Sequence, residues 1–512
     1  MNNPYALANP ISVFLNKPKE DFTREDLLKV IEKKNIERIT FHYTALDGKL
    51  KELQIPLPAK SNAEIVLTEG ERVDGSSLFK GMVDTGLSDL YIVPVWESAF
   101  LNPFIPGSLD FVCRYLTADG NLAPFTPDNV LLNAYDELKK KTGLELHTFG
   151  ELEFYLFYKP EINLYIPPKQ AAYHASSPFI KTSKVLAEML KEITQIVGLV
   201  KYAHSEVGFI DIIDSSSEEI NGRTGEQVEI ELLSVPAPEA ADSIVISKWL
   251  IRNIAAKYGM TATFTPKLEE GIAGNGMHIH TKLKKNGKNV MTDKNGNLST
   301  EAKKLIGGLC DYADSLTAFG NTVASSYLRL VPNQEAPTQV CWSDSNRSAM
   351  IRVPLGWSKI SNLASVVNRG HKSTPLEIDS MQTVELRTPD GSANSHLLMA
   401  GITCAVTHGF ENKDSLAIAE KLYVKGNIHK DRSLTKDLLK LPSSCAESAK
   451  VMRMKRSLYE KNGIFPPSVI DYAINALEAE NDKELQRHLS ELSGKNRAIE
   501  VKRIMHKDLH KN

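Results

Sequence analysis

The chain reads Gly150-Glu151-Leu152-Glu153-Phe154 at residues 150–154, where one apolar residue separates two acids. The same spacing recurs in His278-Ile279-His280 and in Glu385-Leu386-Arg387. Side chains alternate across a β-strand with a period of two, so both members of each pair face the same side. Carboxylates and imidazoles gathered from several strands repel one another and lose hydration unless cations lie among them. The pattern therefore indicates a metal-dependent enzyme built on one face of a sheet.

Composition sets broad limits on the partners of this protein. The chain has 512 residues, 42% of them hydrophobic, and 61 Lys plus Arg stand against 63 Asp plus Glu. This near balance favours neither nucleic acid nor an anionic membrane. The five cysteines are scattered without a CxxC spacing, which fits reduced thiols. Because residues 1–10 carry no targeting pattern and no later run approaches the roughly 20 apolar residues of a bilayer span, we expect a cytoplasmic protein.

A chain of this length exceeds the usual size of one domain, and its texture changes near residue 120. Before that point, Thr23 predicts a helix start, and the alternating segments 39–43 and 53–57, joined by Asp47-Gly48, predict a β-hairpin. Beyond it, helical patterns at 127–141 and from Thr300 alternate with separated strands. We therefore predict an α+β protein with domains at 1–120 and 121–512.

Two further segments differ in composition. Residues 410–512 carry Lys- and Glu-rich helical patterns, including 443–461 and 468–485, and are predicted to form a surface helical appendage. The acidic segment 214–226 is predicted to be a solvated loop, with an active-site or regulatory lid as the alternative.

Phosphate recognition has to come from side chains, because neither GxxxxGK[ST] nor GxGxxG occurs. Arg329, Arg347 and Arg352 lie within residues 327–354. Guanidinium groups bind carboxylate and phosphoryl oxygens bidentately, so several arginines near clustered acids suit a substrate that carries both groups.

Taken in order along the chain, the motifs resemble those of glutamine synthetase between about residues 35 and 410. That resemblance implies a β-grasp N-terminal domain and a larger catalytic α/β domain with a curved antiparallel sheet. The matching segments are Asp74-Gly75-Ser76-Ser77, Gly150-Glu151-Leu152-Glu153-Phe154, Asn275-Gly276-Met277-His278-Ile279-His280, Arg329-Leu330-Val331-Pro332, Glu335-Ala336-Pro337, Asn346-Arg347-Ser348-Ala349 and Glu385-Leu386-Arg387-Thr388-Pro389-Asp390.

The resemblance implies two or more divalent cations beside ATP. Glu153 would bind the first cation with Glu206 and Glu229, and the second would lie among Glu151, His278 and Glu385. Carboxylates and one imidazole favour Mg²⁺ or Mn²⁺, with zinc as the weaker alternative. Glu206 and Glu229 stand farther apart than in the family, so Glu226 and Glu231 remain alternatives to Glu229.

The resemblance also implies roles in transferring a phosphoryl group from ATP to glutamate. Arg347, Arg352 and Arg387 would offset the charge of that group, and His280, with Arg347 and Arg352, would bind the nucleotide phosphates. Arg329 would hold the α-carboxylate of glutamate, with Gly274, Ser77 and Arg352 also binding substrate. Asp74 would bind ammonium, and Glu335 would be the flap carboxylate that takes a proton from the attacking nitrogen.

Family architecture implies a homo-oligomer, with a dodecamer of two stacked hexamers as the expectation, in which Asp74 acts across a subunit interface. Three functions stay open: glutamine synthesis from glutamate and ammonia through γ-glutamyl phosphate, ligation of γ-glutamate to a larger amine or polyamine, and a non-catalytic ring-forming role.

Overall fold

The computed structural model describes residues 5–161, 165–167, 169–331, 336–371, 374, 376, 378–428 and 430–512. Its N-terminal part is a sheet with short helices. The elements are α1 (Pro10–Leu15), α2 (Arg24–Lys33), β1 (Arg38–Thr44), β2 (Leu50–Pro56), α3 (Lys60–Glu69), β3 (Glu71–Asp74), α4 (Gly75–Leu78), β4 (Asp89–Pro94), β5 (Phe100–Leu101) and β6 (Ser108–Leu116).

Local sequence signals are confirmed in this part of the chain. Thr23 caps α2 through a capping box with Asp26. Strands β1 and β2 form the expected antiparallel hairpin, with Phe41 opposite Leu53. The sheet order is β2-β1-β6-β4-β3, in which β1 and β6 run parallel. Its apolar face and α2 enclose a core that includes Phe41, Phe111 and Tyr115.

The remainder of the chain forms a larger unit of strands and long helices. Its elements are α5 (Pro127–Thr142), β7 (Glu145–Tyr158), α6 (Ser183–Val197), β8 (Val200–Ile210), β9 (Thr224–Leu232), β10 (Val235–Pro236), α7 (Ala237–Lys257), β11 (Thr261–Thr263), β12 (Ile279–Lys285), β13 (Lys288–Asn289), α8 (Thr300–Gly320), α9 (Ser326–Arg329), β14 (Trp342–Asp344), β15 (Ile351–Val353), α10 (Leu363–Val367), β16 (Val384–Leu386), α11 (Ser395–Glu411), α12 (Ser415–Lys421), α13 (Cys445–Glu460), α14 (Pro467–Glu478), α15 (Leu485–Glu491) and α16 (Gly494–His506).

The large sheet has the order β14-β15-β16-β12-β7-β9-β8. Adjacent strands in this order are antiparallel, except that β14 and β15 are parallel. Helices α5, α7, α8 and α11 cover its apolar side and contribute to one continuous core. Strands that approach from distant parts of the chain are thereby aligned side by side. The α+β class with a largely antiparallel catalytic sheet is confirmed.

Two predictions need correction. The helices after residue 410 are not a surface appendage, because α13 and α14 contribute Met452, Tyr459 and Ile470 to the main core. The pattern predicted over 468–485 also ends earlier, since α14 stops at Glu478 and a separate helix begins at Leu485. The amphipathic spacing was predicted correctly, but the apolar faces of α13 and α14 pack against α8 and do not face solvent.

The acidic segment also differs from the prediction at its end. The loop ends before Thr224, where β9 begins, and Glu226 is buried in that strand. All five cysteines are buried and form no disulfide. No helix within the described residues combines the length and apolar character that crossing a bilayer requires.

Candidate active site

Cross-strand register brings the predicted ligands together. Glu151 lies opposite Glu231 and Glu153 lies opposite Glu229 where β7 meets β9. On the other side of β7, His280 of β12 lies opposite Glu385 of β16. Directly opposed residues on one face have Cβ atoms about 5 Å apart, so these pairings gather carboxylates and imidazoles in one layer.

Glu151, His278 and Glu385 form a compact group, as the sequence predicted for the second cation. His278 Nδ1 is 2.7 Å from Glu151 Oε2 and 3.5 Å from Glu385 Oε1. Burial opposes ionisation of Glu151, but His280 and His278 hold its pKa well below the ordinary value. Burial and Glu151 likewise oppose ionisation of Glu385, yet His280, His278 and Arg387 keep its pKa lowered. Both carboxylates therefore stay charged.

Glu206 and Glu229 form another group, in which the third member is His204. His204 Nε2 is 3.2 Å from Glu229 Oε1. Glu153, the predicted third ligand, accepts a hydrogen bond from the backbone N–H of Gly276. Burial and the negative charges of Glu153 and Glu229 raise the pKa of Glu206 to about 8. Burial, Glu151 and Glu153 also raise the pKa of Glu229 well above its ordinary value.

The donor set fits divalent cations. Oxygen atoms predominate, imidazole nitrogens complete the groups, and the cysteines lie outside them, so Mg²⁺ or Mn²⁺ suits the residues better than a soft metal. The raised pKa values of Glu206 and Glu229 also suit a cation, because a bound cation would offset the repulsion that disfavours their charged forms.

The predicted arginines line the same cavity. Arg352 Nη1 donates to Glu385 Oε2 at 2.7 Å, and Arg387 Nε donates to Glu385 Oε1 at 3.1 Å. Arg347 also faces the cavity, with its guanidinium carbon 6.0 Å from the centre of the Tyr173 ring. The arrangement places several cations beside the acidic layer, where they can receive anionic oxygens.

Arg329 and Gly274 lie together at one wall of the cavity. Arg329 Nη1 donates to the carbonyl oxygen of Thr388 at 2.9 Å. A Cβ atom at Gly274 would lie 2.4 Å from the carbonyl oxygen of Pro266 and 3.2 Å from Arg329 Cγ. Glycine is therefore required at 274 for the loop to pass close to the backbone of Pro266.

The cavity has a volume of about 1380 Å³ and is lined by both acidic groups and by Arg329, Arg347, Arg352 and Arg387. The exposed apolar side chains of Leu355, Trp357 and Met381 also belong to its lining. Such a volume exceeds the upper part of the usual range for small-molecule sites and accommodates a nucleotide beside a second substrate.

Two predicted residues are not brought to this cavity, and a third falls where the structure gives no description. Asp74 and Ser77 lie in the exposed turn that begins α4, and they do not line the cavity in the described part of the chain. Hydrogen bonds from the hydroxyls of Ser76 and Ser77 lower the pKa of Asp74 to about 2. Glu335 lies outside the described residues.

Both parts of the chain match models of known protein families. A model of the glutamine synthetase catalytic domain matches residues 125–493, and a model of the glutamine synthetase β-grasp domain matches residues 35–118. The chain belongs to the glutamine synthetase family. The glutamine synthetase of Thermus thermophilus is 30% identical over 77% of this chain and 81% of its own. That of Escherichia coli is 27% identical over 90% of this chain and 96% of its own.

Solved structures share the fold of this family member. A cryo-EM structure of Plasmodium falciparum glutamine synthetase aligns with a TM-score of 0.70 at 21% identity, covering 91% of this chain and 97% of its own. A GmaS/ADP complex aligns with a TM-score of 0.68 at 20% identity, covering 92% and 98%. The β-grasp and catalytic architecture of the family is thus shared by this chain.

Sequence reasoning missed His204, and it named Glu231 only as an alternative to Glu229. The signal was present, because His204-Ser205-Glu206 and Glu229-Ile230-Glu231 repeat the spacing of two that marked the other strands. No strand was predicted over residues 200–210 or 224–232, so this spacing was not used. The structure also distinguishes the alternatives to Glu229: Glu226 lies outside the cavity lining, whereas Glu231 belongs to it.

Proposed function

We propose that this protein forms glutamine from glutamate and ammonia, with ATP as co-substrate and γ-glutamyl phosphate as the intermediate. The observation that carries the proposal is one cavity in which two groups of potential metal ligands face four arginines. A carboxylate substrate and a triphosphate can be held there together, which phosphoryl transfer between them requires.

The arginines would act on the transferring group. Arg347, Arg352 and Arg387 would neutralise the oxygens of the γ-phosphoryl group as the glutamate γ-carboxylate displaces ADP. Arg329 would orient glutamate through its α-carboxylate, and the flap residue Glu335 would accept a proton from the incoming nitrogen. Bound Mg²⁺ or Mn²⁺ would supply Lewis-acid polarisation of the phosphate oxygens.

Ammonium binding is assigned to Asp74 of a neighbouring subunit. The exposed position of Asp74, away from the cavity lining of its own chain, supports a site completed in a homo-oligomer, with a dodecamer expected. Mixing an Asp74→Ala protein with a Glu153→Ala protein tests this assignment. Mixed oligomers should regain activity, because some interfaces pair a subunit with an intact Asp74 with a subunit that has an intact Glu153. A mixture as inactive as the separate proteins would refute active sites shared between subunits.

A γ-glutamyl amine or polyamine ligase is the second candidate. The exposed apolar side chains of Leu355 and Trp357 at the cavity edge would suit the carbon chain of a larger amine. This reaction would keep the same metal groups and arginines and differ only in the acceptor. Buried free cysteines fit the cytoplasmic location proposed for either ligase.

An acceptor series separates the candidates. Purified protein with ATP, Mg²⁺ or Mn²⁺ and glutamate is supplied with ammonium, ethylamine, putrescine or spermidine, while phosphate release and the amide product are measured. Ammonium should give the highest kcat/KM. Preference for an amine would replace the first proposal by the second, and inactivity with every acceptor would favour a non-catalytic ring-forming protein.

A further inference from the structure

Residues 264–274, here called the wall segment, lead from β11 to the cavity, and residues 271–274 at its end line the cavity. The large sheet holds this end. Tyr155 Oη donates to the carbonyl oxygen of Ala273 at 2.8 Å, and Gln227 Nε2 donates to that of the next residue at 3.0 Å. These hydrogen bonds fix the part of the wall segment that reaches the cavity.

The earlier part of the wall segment is held by α16. Arg497 donates twice to Glu270, from Nη1 to Oε2 and from Nη2 to Oε1, each at 2.6 Å. His506 Nε2 is 2.9 Å from the carbonyl oxygen of Leu268. Because a carbonyl oxygen only accepts, Nε2 carries the proton and donates it. His506 is buried, so water does not readily replace this donor.

The acidic loop between β8 and β9, residues 211–223, holds α16 and the residues that follow it. Asp214 accepts from Lys502 at 3.0 Å, and Glu219 Oε2 is 2.7 Å from His510 Nε2. A small apolar cluster joins the same parts of the chain, with members from the loop, the wall segment, the residues after α16 and the sheet: Ile213, Ile220, Leu268, Leu509, Tyr155, Phe157 and Ile210. The loop, α16 and the wall segment therefore pack as one unit.

We propose that α16, supported by the acidic loop, positions the wall segment and thereby sets the affinity for glutamate. The inference rests on the proposed function, in which Arg329 and Gly274 bind glutamate. Among the residues that the structure describes, those of α16 do not line the cavity, so they would act by positioning and not by contact with substrate. A displacement of about 1 Å at a binding site can reduce the rate about 100-fold.

Substitutions at His506 test this support. His506→Leu removes the donor to Leu268 and should raise KM for glutamate about ten-fold, with KM for ATP changed by less than about two-fold. His506→Gln keeps an N–H group of similar reach and should restore most of the affinity for glutamate. An unchanged KM for glutamate in folded His506→Leu protein, or equal rises in both KM values, would overturn the inference.

Arg497→Gln and Arg503→Gln form a matched pair on α16. Arg503 also pairs with a glutamate through two contacts, of 2.9 and 2.7 Å, but that glutamate is Glu500 of the same helix. Each change removes one paired guanidinium group, and only Arg497→Gln separates α16 from the wall segment. Arg497→Gln should raise KM for glutamate about three-fold, as loss of one exposed ion pair allows, and Arg503→Gln should leave it at the wild-type value. An equal KM in the two variants would reject the inference.

Hydrogen exchange of the unaltered protein covers the case in which His506→Leu does not fold. Wild type with Mn²⁺ and ADP is compared with and without saturating glutamate, and mass spectrometry follows amide exchange in the wall segment and in residues 494–510. Slower exchange in both segments supports the inference, because residues that form one unit open together. Protection of the wall segment alone would overturn it. Protection of neither segment would refute glutamate as the substrate, so failure of the support and failure of the proposed function give different results.

Discussion

Two buried carboxylates of strand β9 have opposite surroundings. Near the start of the strand, Glu226 accepts hydrogen bonds from four donors: the backbone N–H groups of Lys181 and Thr182, and the hydroxyls of Thr182 and Tyr158. Three residues later, Glu229 faces other carboxylates, and its pKa is raised. An odd spacing places the two side chains on opposite faces of the strand.

The difference separates structural from functional buried acids. At Glu226 the protein itself supplies the donors that compensate desolvation, so no external group is needed. At Glu229, His204 is the one ion-pair partner among the described residues, while the nearby acids add repulsion, so a cation would supply the missing compensation. Burial alone does not reveal function; the surrounding donors and charges do.

The largest effect on stability is expected at Glu226. Glu226→Ala leaves buried donors of Thr182 and Tyr158 without their acceptor, which should lower the free energy of unfolding by about 3 to 5 kcal/mol. Urea unfolding of metal-free protein measures this loss. Glu226→Gln, which keeps one acceptor oxygen, should lose less. Equal stability of Glu226→Ala and wild type would remove the distinction between Glu226 and Glu229.

Glu229→Gln should act on catalysis and spare the fold. Losing a ligand should lower kcat/KM for the ATP- and glutamate-dependent reaction by at least about 100-fold. Because burial, Glu151 and Glu153 all oppose the charged form of Glu229 and raise its pKa, the uncharged glutamine should not destabilise metal-free protein. Steady-state kinetics and urea unfolding together check both statements. Activity near the wild-type value would argue against ligation by Glu229.

Removing metal should destabilise wild type more than the Glu229→Gln protein. Mn²⁺ at 100 times its dissociation constant stabilises a site by about 2.7 kcal/mol, and chelation removes that contribution. Thermal unfolding with Mn²⁺ or with EDTA measures the difference. We expect a fall of several degrees in wild type and a smaller one in Glu229→Gln. Identical shifts in both proteins would place the stabilising ion elsewhere.

The smallest effect is a dependence of metal-free stability on pH. The Glu206 carboxyl has its pKa raised to about 8 from an ordinary 4.5, so the folded state binds its proton more tightly than the unfolded state. Its contribution is present below about pH 4.5 and is lost as the pH rises through about 8. Melting temperatures of metal-free protein should fall across this window more steeply in wild type than in Glu206→Gln.

Added Mn²⁺ should flatten that profile in wild type, because the ion favours the charged carboxylate. Asp74 provides the contrast: its pKa is lowered to about 2, so it titrates below this window. A slope that survives Glu206→Gln unchanged would assign the pH dependence to other groups.

Prediction from sequence succeeded where the signal was local. The capping box at Thr23, the hairpin that pairs Phe41 with Leu53, and the strand character of the segments around Glu151, His280 and Glu385 all follow from spacing within a few residues. It failed where packing decided. The apolar face of α13 could not be matched to α8 from its own periodicity, and Glu226 could not be distinguished from Glu229 by spacing alone.

The amino-acid sequence by itself determined the strand segments, the residue types of the acidic layer and the resemblance to the family. The alternation of side chains and the chemistry of each residue can be read from a few consecutive positions. Only the tertiary structure decided which acids lie side by side, because cross-strand register joins residues far apart in the chain, such as Glu153 with Glu229 and Glu151 with Glu231. Register depends on how whole strands align, and that alignment is set by the packed core beneath them.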